Sequence, residues 1–180
     1  MKKMLVGFVG TMMISSLCLA AAPVTDLNKG ETVVGYSFSN FEVYDIDLDT
    51  DGFYLEHGIA DKFILGVDRN EIENALKITD IYAKYKLDNN VSLTAGNREY
   101  SALGLSESKF TYGIEGSTVL ADKIVGYAAL KHNNLETEWK LGATYALADQ
   151  VNLDLNYASK DFDGTDEKIK GIGFGINYKF

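Results

Sequence analysis

Charged side chains recur in this chain at alternate positions inside runs that are otherwise apolar or small. Asp154 stands between Leu153 and Leu155, Lys140 between Trp139 and Leu141, and Asp80, Lys84 and Lys86 share one parity through 78–87. An extended backbone turns successive side chains to opposite faces, so each of these charges falls on the side away from its apolar neighbours. Collected by parity, Glu56, Asp68, Asp80, Lys84, Lys86, Glu115, Glu138, Lys140, Asp154 and Lys179 form a set of both signs on one side of a sheet. Two chemistries suit such a set. Charges enclosed together must be paired, which makes a salt-bridged plug. Charges left in water would line a narrow, cation-preferring pore for ions or small solutes. The sequence leaves both open.

The remaining candidates point to less. Asp47-x-Asp49-x-Asp51-Gly52 matches the first half of a helix–loop–helix calcium loop. Gly58 stands at the twelfth position, where the bidentate glutamate belongs, so Asp47, Asp49 and Asp51 are at most a weak external cation site. A solvated acidic loop, or one bridging cations to lipopolysaccharide phosphates, fits the run as well. His57 falls on the apolar face of its segment and reads as an interfacial residue. His132 lies in the short run Lys131-His132-Asn133-Asn134, where it is solvated. A pairing of His132 with Asp161 or Asp163 has no support in their spacing. No catalytic residue, cofactor or metal site is expected.

Composition narrows the class. The formal charge is −9, and a chain without a basic patch does not seek nucleic acid. Hydropathy is near zero, and no segment after the first 20 residues has the roughly 20 apolar residues that a membrane helix needs. Pro23 is the only proline, ahead of every expected strand; proline cannot donate to a β-ladder, so its absence beyond that point suits a sheet.

A turn signal repeats along the chain: Ala60-Asp61-Lys62, Leu87-Asp88-Asn89-Asn90, Ala121-Asp122-Lys123 and Ala148-Asp149-Gln150, each leading into an apolar run. Asp and Asn bond their own backbone in tight turns. Each repeat holds two membrane-length strands of about 9–11 residues and a loop. The spacing predicts strands over 31–39, 52–60, 62–69, 78–87, 91–99, 109–120, 124–131, 136–147, 151–159 and 169–180. Loops are expected near 40–51, 70–77, 100–108, 132–135 and 160–168, on the side opposite the tight turns. Segment 40–51 is read as a protruding loop, although Tyr44, Ile46 and Leu48 alternate with aspartates there. The fold class is therefore all-β: an antiparallel up-and-down transmembrane barrel of about ten strands. Its lipid face would carry Trp139, Leu141, Tyr145, Leu153, Leu155 and Tyr157, with aromatic residues gathered near the strand ends.

The first residues read as an export signal. Met1-Lys2-Lys3 is a basic start, Met4 to Leu19 is uncharged, and Ala20-Ala21-Ala22 follows. Cleavage after Ala20 makes residues 1–20 a signal peptide and 21–180 one barrel domain. It removes Cys18, the only cysteine, and takes the formal charge from −9 to −11 with the loss of Lys2 and Lys3.

The last eight residues alternate cleanly and end on an aromatic: Gly173-Phe174-Gly175-Ile176-Asn177-Tyr178-Lys179-Phe180. This strand resembles the closing strand of bacterial outer-membrane β-barrels, whose assembly signal runs polar-x-Gly-x-x-aromatic-x-aromatic. Gly175, Tyr178 and Phe180 match it; the polar position does not, since Gly173 stands there. With the strand count and the export signal, the whole mature chain looks like a small porin-like outer-membrane barrel. The resemblance implies residence in the outer membrane of a diderm bacterium, contact with its lipids, and recognition by the barrel-assembly machinery. It assigns no active site.

Register is the property on which every face depends, since a slip of one residue exchanges the two faces. Leu153→Arg on the lipid face is expected to destabilise the barrel by roughly 2–4 kcal/mol. Asn152→Arg on the inner face should cost much less. Equilibrium unfolding of both variants in lipid bilayers measures the difference.

Overall fold

The computed structural model describes residues 26–43, 46–72, 76–164 and 168–180, so the expected signal peptide lies outside it. The chain forms ten strands: β1 (Thr32–Val43), β2 (Ile46–Ala60), β3 (Phe63–Ile72), β4 (Leu76–Lys86), β5 (Val91–Ala102), β6 (Leu105–Ala121), β7 (Ile124–His132), β8 (Glu136–Ala148), β9 (Val151–Phe162) and β10 (Lys168–Lys179). Each is antiparallel to the next, and β1 also pairs with β10, so the sheet closes into an up-and-down barrel. The seam runs in register from Val33 opposite Lys179 to Glu42 opposite Lys170. Below it, Thr32 and Phe180 exchange backbone hydrogen bonds of 2.7 and 2.8 Å.

Alternation creates the wall. Along β4 each even residue from Leu76 to Lys86 is buried, while Ile81 and Tyr85 are exposed on the outside. Asp154 and Asn156 point inward on β9, and Leu153, Leu155 and Tyr157 point outward.

The short turns follow the repeat. Three Ala-Asp turns are each preceded by a slip in the ladder, between Gly58 and Ala60, Val119 and Ala121, and Ala146 and Ala148. A bulge of this kind supplies the extra residue and bend that a tight connection needs. In the remaining short turn the Asp88 carboxylate accepts N–H bonds from Asn90 (2.7 Å) and Val91 (2.8 Å).

The opposite end departs from expectation. Segment 40–51 is not a loop: β1 runs to Val43, β2 begins at Ile46, and Asn40 pairs with Asp49 and Phe41 with Leu48. Likewise β5 and β6 meet at Leu103-Gly104, where a loop over 100–108 was expected, and β9 extends to Phe162. Apolar alternation marks a strand only where one face meets an apolar medium. Beyond that depth the outward residues are polar, and backbone pairing continues unmarked. The calcium-loop reading of Asp47, Asp49 and Asp51 falls with the loop. In extended β2 the three carboxylates stand in a row on the outer face and do not wrap one ion.

Outside, an apolar band encircles the barrel. Aromatic pairs mark both edges: Phe63–Tyr85 (centroids 5.1 Å) and Tyr178–Phe180 (5.9 Å) near the short turns, Trp139–Tyr157 (5.5 Å) and Phe110–Tyr112 (6.3 Å) at the other edge. Between them the described outward positions are mainly apolar, with Arg69 opposite Phe53 as the outward charge nearest the upper edge. On β10 the run from Ile172 to Phe180 spans about 26 Å of strand, or roughly 20 Å of depth at a tilt near 40°.

Inside, aromatic rings lie on glycines of adjacent strands. Tyr54 covers Gly35, Tyr82 covers Gly66, Tyr127 covers Gly142 and Phe41 covers Gly171, and a Cβ at any of these glycines would overlap the ring. Gly66→Ala and Gly142→Ala are each expected to lose about 1–3 kcal/mol through overpacking. Gly116→Ala should be close to neutral, because a Cβ there meets its nearest atom, the Asn90 carbonyl oxygen, at 3.4 Å. Urea unfolding in lipid vesicles checks the ranking.

Candidate functional site

The inward face is the chemically rich surface, and its charges are neutralised in layers. In the middle of the barrel Lys84 on β4 reaches Glu56 on β2 and Glu115 on β6, both at 2.6 Å. The Tyr82 hydroxyl lies 2.7 Å from Glu56 and 3.2 Å from Asp68. The ammonium groups of Lys84 and Lys131 sit 5.6 and 5.3 Å from the centre of the Tyr82 ring. Nearer the long-hairpin end, Arg98 on β5 forks onto Asp80 with two bonds of 2.8 and 2.7 Å. Its remaining nitrogen donates to Glu136 (2.5 Å) and Glu138 (3.0 Å) on β8. Lys160 on β9 completes this layer, 3.6 Å from Glu136 and 3.3 Å from Glu138. On the far wall Asp154 accepts the Tyr127 hydroxyl (2.7 Å) and the Asn156 amide (2.6 Å). Lys140, on β8, is buried as well.

Exposure decides what this arrangement can do. Glu56 and Lys160 are 0% exposed and Arg98 1%. Charges lining a water path would be wetted; these are packed. A void of about 10 Å³ against Asp80, Tyr82, Thr94, Thr111 and Lys131 has room for about one water.

Both ends are closed by apolar residues. At the long-hairpin end Phe41, Ile72, Leu76, Ile78, Tyr100 and Ile169 form a buried cluster. At the short-turn end Leu27 inserts against Val33, Tyr54 and Ile64. The segment before β1 is tied in from three sides. Lys86 Nζ donates to the Leu27 carbonyl (2.8 Å), Gly30 N–H to the Gly58 carbonyl (2.7 Å), and Gly58 N–H to the Glu31 carbonyl (2.9 Å). The Glu31 carboxylate accepts the Asn28 backbone N–H (2.6 Å) and pairs with Lys179 (3.1 Å). The Asn28 bond foremost, and Lys179 next, hold its pKa below the usual carboxylate range.

All ten lumen candidates lie on the inner wall, with Lys179 at the mouth, half-buried against Glu31 and Asp26. Arg98, Lys131, Glu136 and Lys160 join them there, outside the set expected from the sequence. Arg98 shares the parity of Ser92 and Thr94, so its signal was present. Lys160 lies one residue beyond the expected end of its strand, and Lys131 and Glu136 lie at strand ends. Gly175 and Tyr178 stand on β10 and Phe180 directly follows it, with both rings outward. The histidines sit apart from the network: His57 Nδ1 is 2.8 Å from Thr32 Oγ1. His132 Nδ1 is 2.9 Å from Thr137 Oγ1, its ring edge-on to Tyr112. Among the described residues no three His, Cys, Asp or Glu side chains are grouped to hold a metal.

No family model and no curated protein matches the chain. Solved structures do. The NanC porin superposes with a TM-score of 0.50 at 7% identity, covering 82% of this chain and 100% of that one. The translocator domain of the autotransporter NalP from Neisseria meningitidis gives 0.46 at 12% identity, covering 87% and 91%. A de novo designed transmembrane β-barrel gives 0.44 at 12% identity, covering 86% and 99%. At such identities the likeness is one of fold: this chain has the closed, up-and-down antiparallel architecture of a transmembrane β-barrel.

Removing one partner from a buried ion network leaves uncompensated charge. Arg98→Met, which strips Asp80, Glu136 and Glu138 of their shared cation, is expected to cost about 3–5 kcal/mol. Lys77→Met, which breaks the exposed pair with Glu71, should cost less than about 1 kcal/mol. Denaturant unfolding followed by Trp139 fluorescence compares them.

Proposed function

We propose that the protein is an integral outer-membrane barrel with a closed, salt-bridged lumen, which acts as a structural or surface-presenting element rather than as a channel. The observation that carries this reading is the burial of Arg98, Lys84 and Lys160 within bonding distance of carboxylates on nearby strands and, for Arg98, across the barrel on β8. A narrow channel would need those groups in water. The largely apolar outer band with its aromatic edges supports membrane residence, since ring residues favour the interface and lipid disfavours charge. On this reading the partners are outer-membrane lipid along the band and, during biogenesis, the assembly machinery that reads the Gly175, Tyr178 and Phe180 strand. The signal peptide is cleaved on the way, and neither nucleic acid nor a catalytic cofactor has a role. The short turns and both ends of the mature chain face the periplasm, and the long hairpins face outward.

Purified protein incorporated into planar bilayers is expected to remain electrically silent at moderate voltage. Steady, reproducible steps of porin size on each insertion would establish the channel instead.

A further inference from the structure

The outer rim is uneven. Strand β6 pairs with β5 from Leu105 to Gly116, but its first pair with β7 is Tyr112 opposite His132. Residues 105–111 therefore have a strand on one edge only. Among the described residues no strand lies along the other edge, and the β7–β8 turn reaches only its foot, where the Asn133 amide is 3.5 Å from Thr111 Oγ1. A backbone edge of this length, about 23 Å, is a template for another strand.

Proteins usually blunt such edges with charge, and this barrel does so elsewhere. Beyond the pair of Thr50 with Ile72, β2 also lacks β3 as a neighbour, and there Asp47 and Asp49 stand exposed on the outer face. The β6 edge presents Ser106, Ser108 and Phe110 outward, with Phe110 65% exposed, and its charges, Glu107 and Lys109 on the other face, are engaged with each other. Its tip is apolar: Leu103 is 88% exposed and Leu105 59%. Leu103 also adopts a left-handed φ of 52°, a conformation that a two-residue hairpin normally gives to Asn, Asp or Gly. A strained, exposed leucine thus stands beside a free edge whose two charges are already paired with each other.

We infer that the free edge of β6, residues 105–111, receives an extended segment of a partner polypeptide as an added antiparallel strand. The inference rests on the surface-presenting reading and names its partner class. The neighbours on the edge define the occupant. Residues beside Ser106, Ser108 and Phe110 are apolar. On the other face Glu107 and Lys109, already paired with each other, select a basic and an acidic residue respectively, because opposite charges across a strand pair attract. A second copy in the same membrane does not fit. Strands tilted about 40° and related by an axis along the membrane normal would cross near 80° rather than pair.

The probe is the blocked heptapeptide Thr-Val-Glu-Val-Lys-Val-Thr, added to the full-length barrel in liposomes, with amide hydrogen exchange read across 105–111. The expected result is fast exchange at alternate amides without peptide and exchange slowed at least about tenfold with it. The same peptide N-methylated at alternate amides should give no protection. Three outcomes overturn the proposal: an edge already protected in the free barrel, equal protection by the N-methylated peptide, or none at millimolar peptide. Conductance of the same liposomes reports on the lumen separately, so a silent barrel that ignores the peptide refutes the edge alone.

Discussion

A polypeptide that crosses hydrocarbon has no water to satisfy its N–H and C=O groups, so the sheet must leave no edge at membrane depth. Here that demand falls on the seam between β1 and β10, where ten successive residue pairs close the ring. Everything else is arranged around it. The bulges before the short turns bend the strands into the curve, and the clean alternation of β10 holds the last strand in the one register that faces Phe174, Ile176 and Tyr178 to lipid.

Closure creates an interior that has to be filled. The barrel fills it with rings resting on glycines and with ion pairs between strands. Burying so many charges is not a cheap source of stability, because desolvation offsets much of the attraction. It does solve a second problem. A wall apolar on both faces would have no preferred register, since a slip of one residue would cost little. With Arg98, Lys84 and Glu56 on one face and Leu153, Ile81 and Phe174 on the other, such a slip drives charge into lipid. The network thus specifies the fold whatever it adds to its free energy.

Much of this could be read from residue order. Ten strands, the four short turns and the faces of β4, β8 and β9 followed from alternation and from the Asp-rich turns, because membrane and lumen impose opposite chemistry on successive residues. The reading lost its footing at the outer hairpins. Along Asn40, Asp49, Glu99 and Ser108 the outward side chains are polar, while Phe41, Leu48 and Tyr100 turn inward onto the end cluster; the alternation of 40–51 is therefore inverted relative to the lipid-facing strands, and aspartates in the run read as a loop. Lys160, just past an expected strand end, was likewise left out of the network. Two features depended on distant partners that no local pattern encodes: the insertion of Leu27 beneath Tyr54 and Ile64, and the convergence of Arg98 with Glu136 and Glu138 from across the barrel.

The direct bonds between Thr32 and Phe180 place the start of β1 and the residue after β10 side by side at one mouth. In the sense of connectivity the ring of strands has almost no beginning. Joining those ends and cutting the chain at another short turn would preserve each pairing of the wall and each ion pair within it. What such a permutation would alter is which strand arrives last with a free aromatic terminus, and which residues are left to stopper the mouth. Position in the chain thus serves the order of assembly, whereas the assembled wall is cyclic and indifferent to where synthesis began.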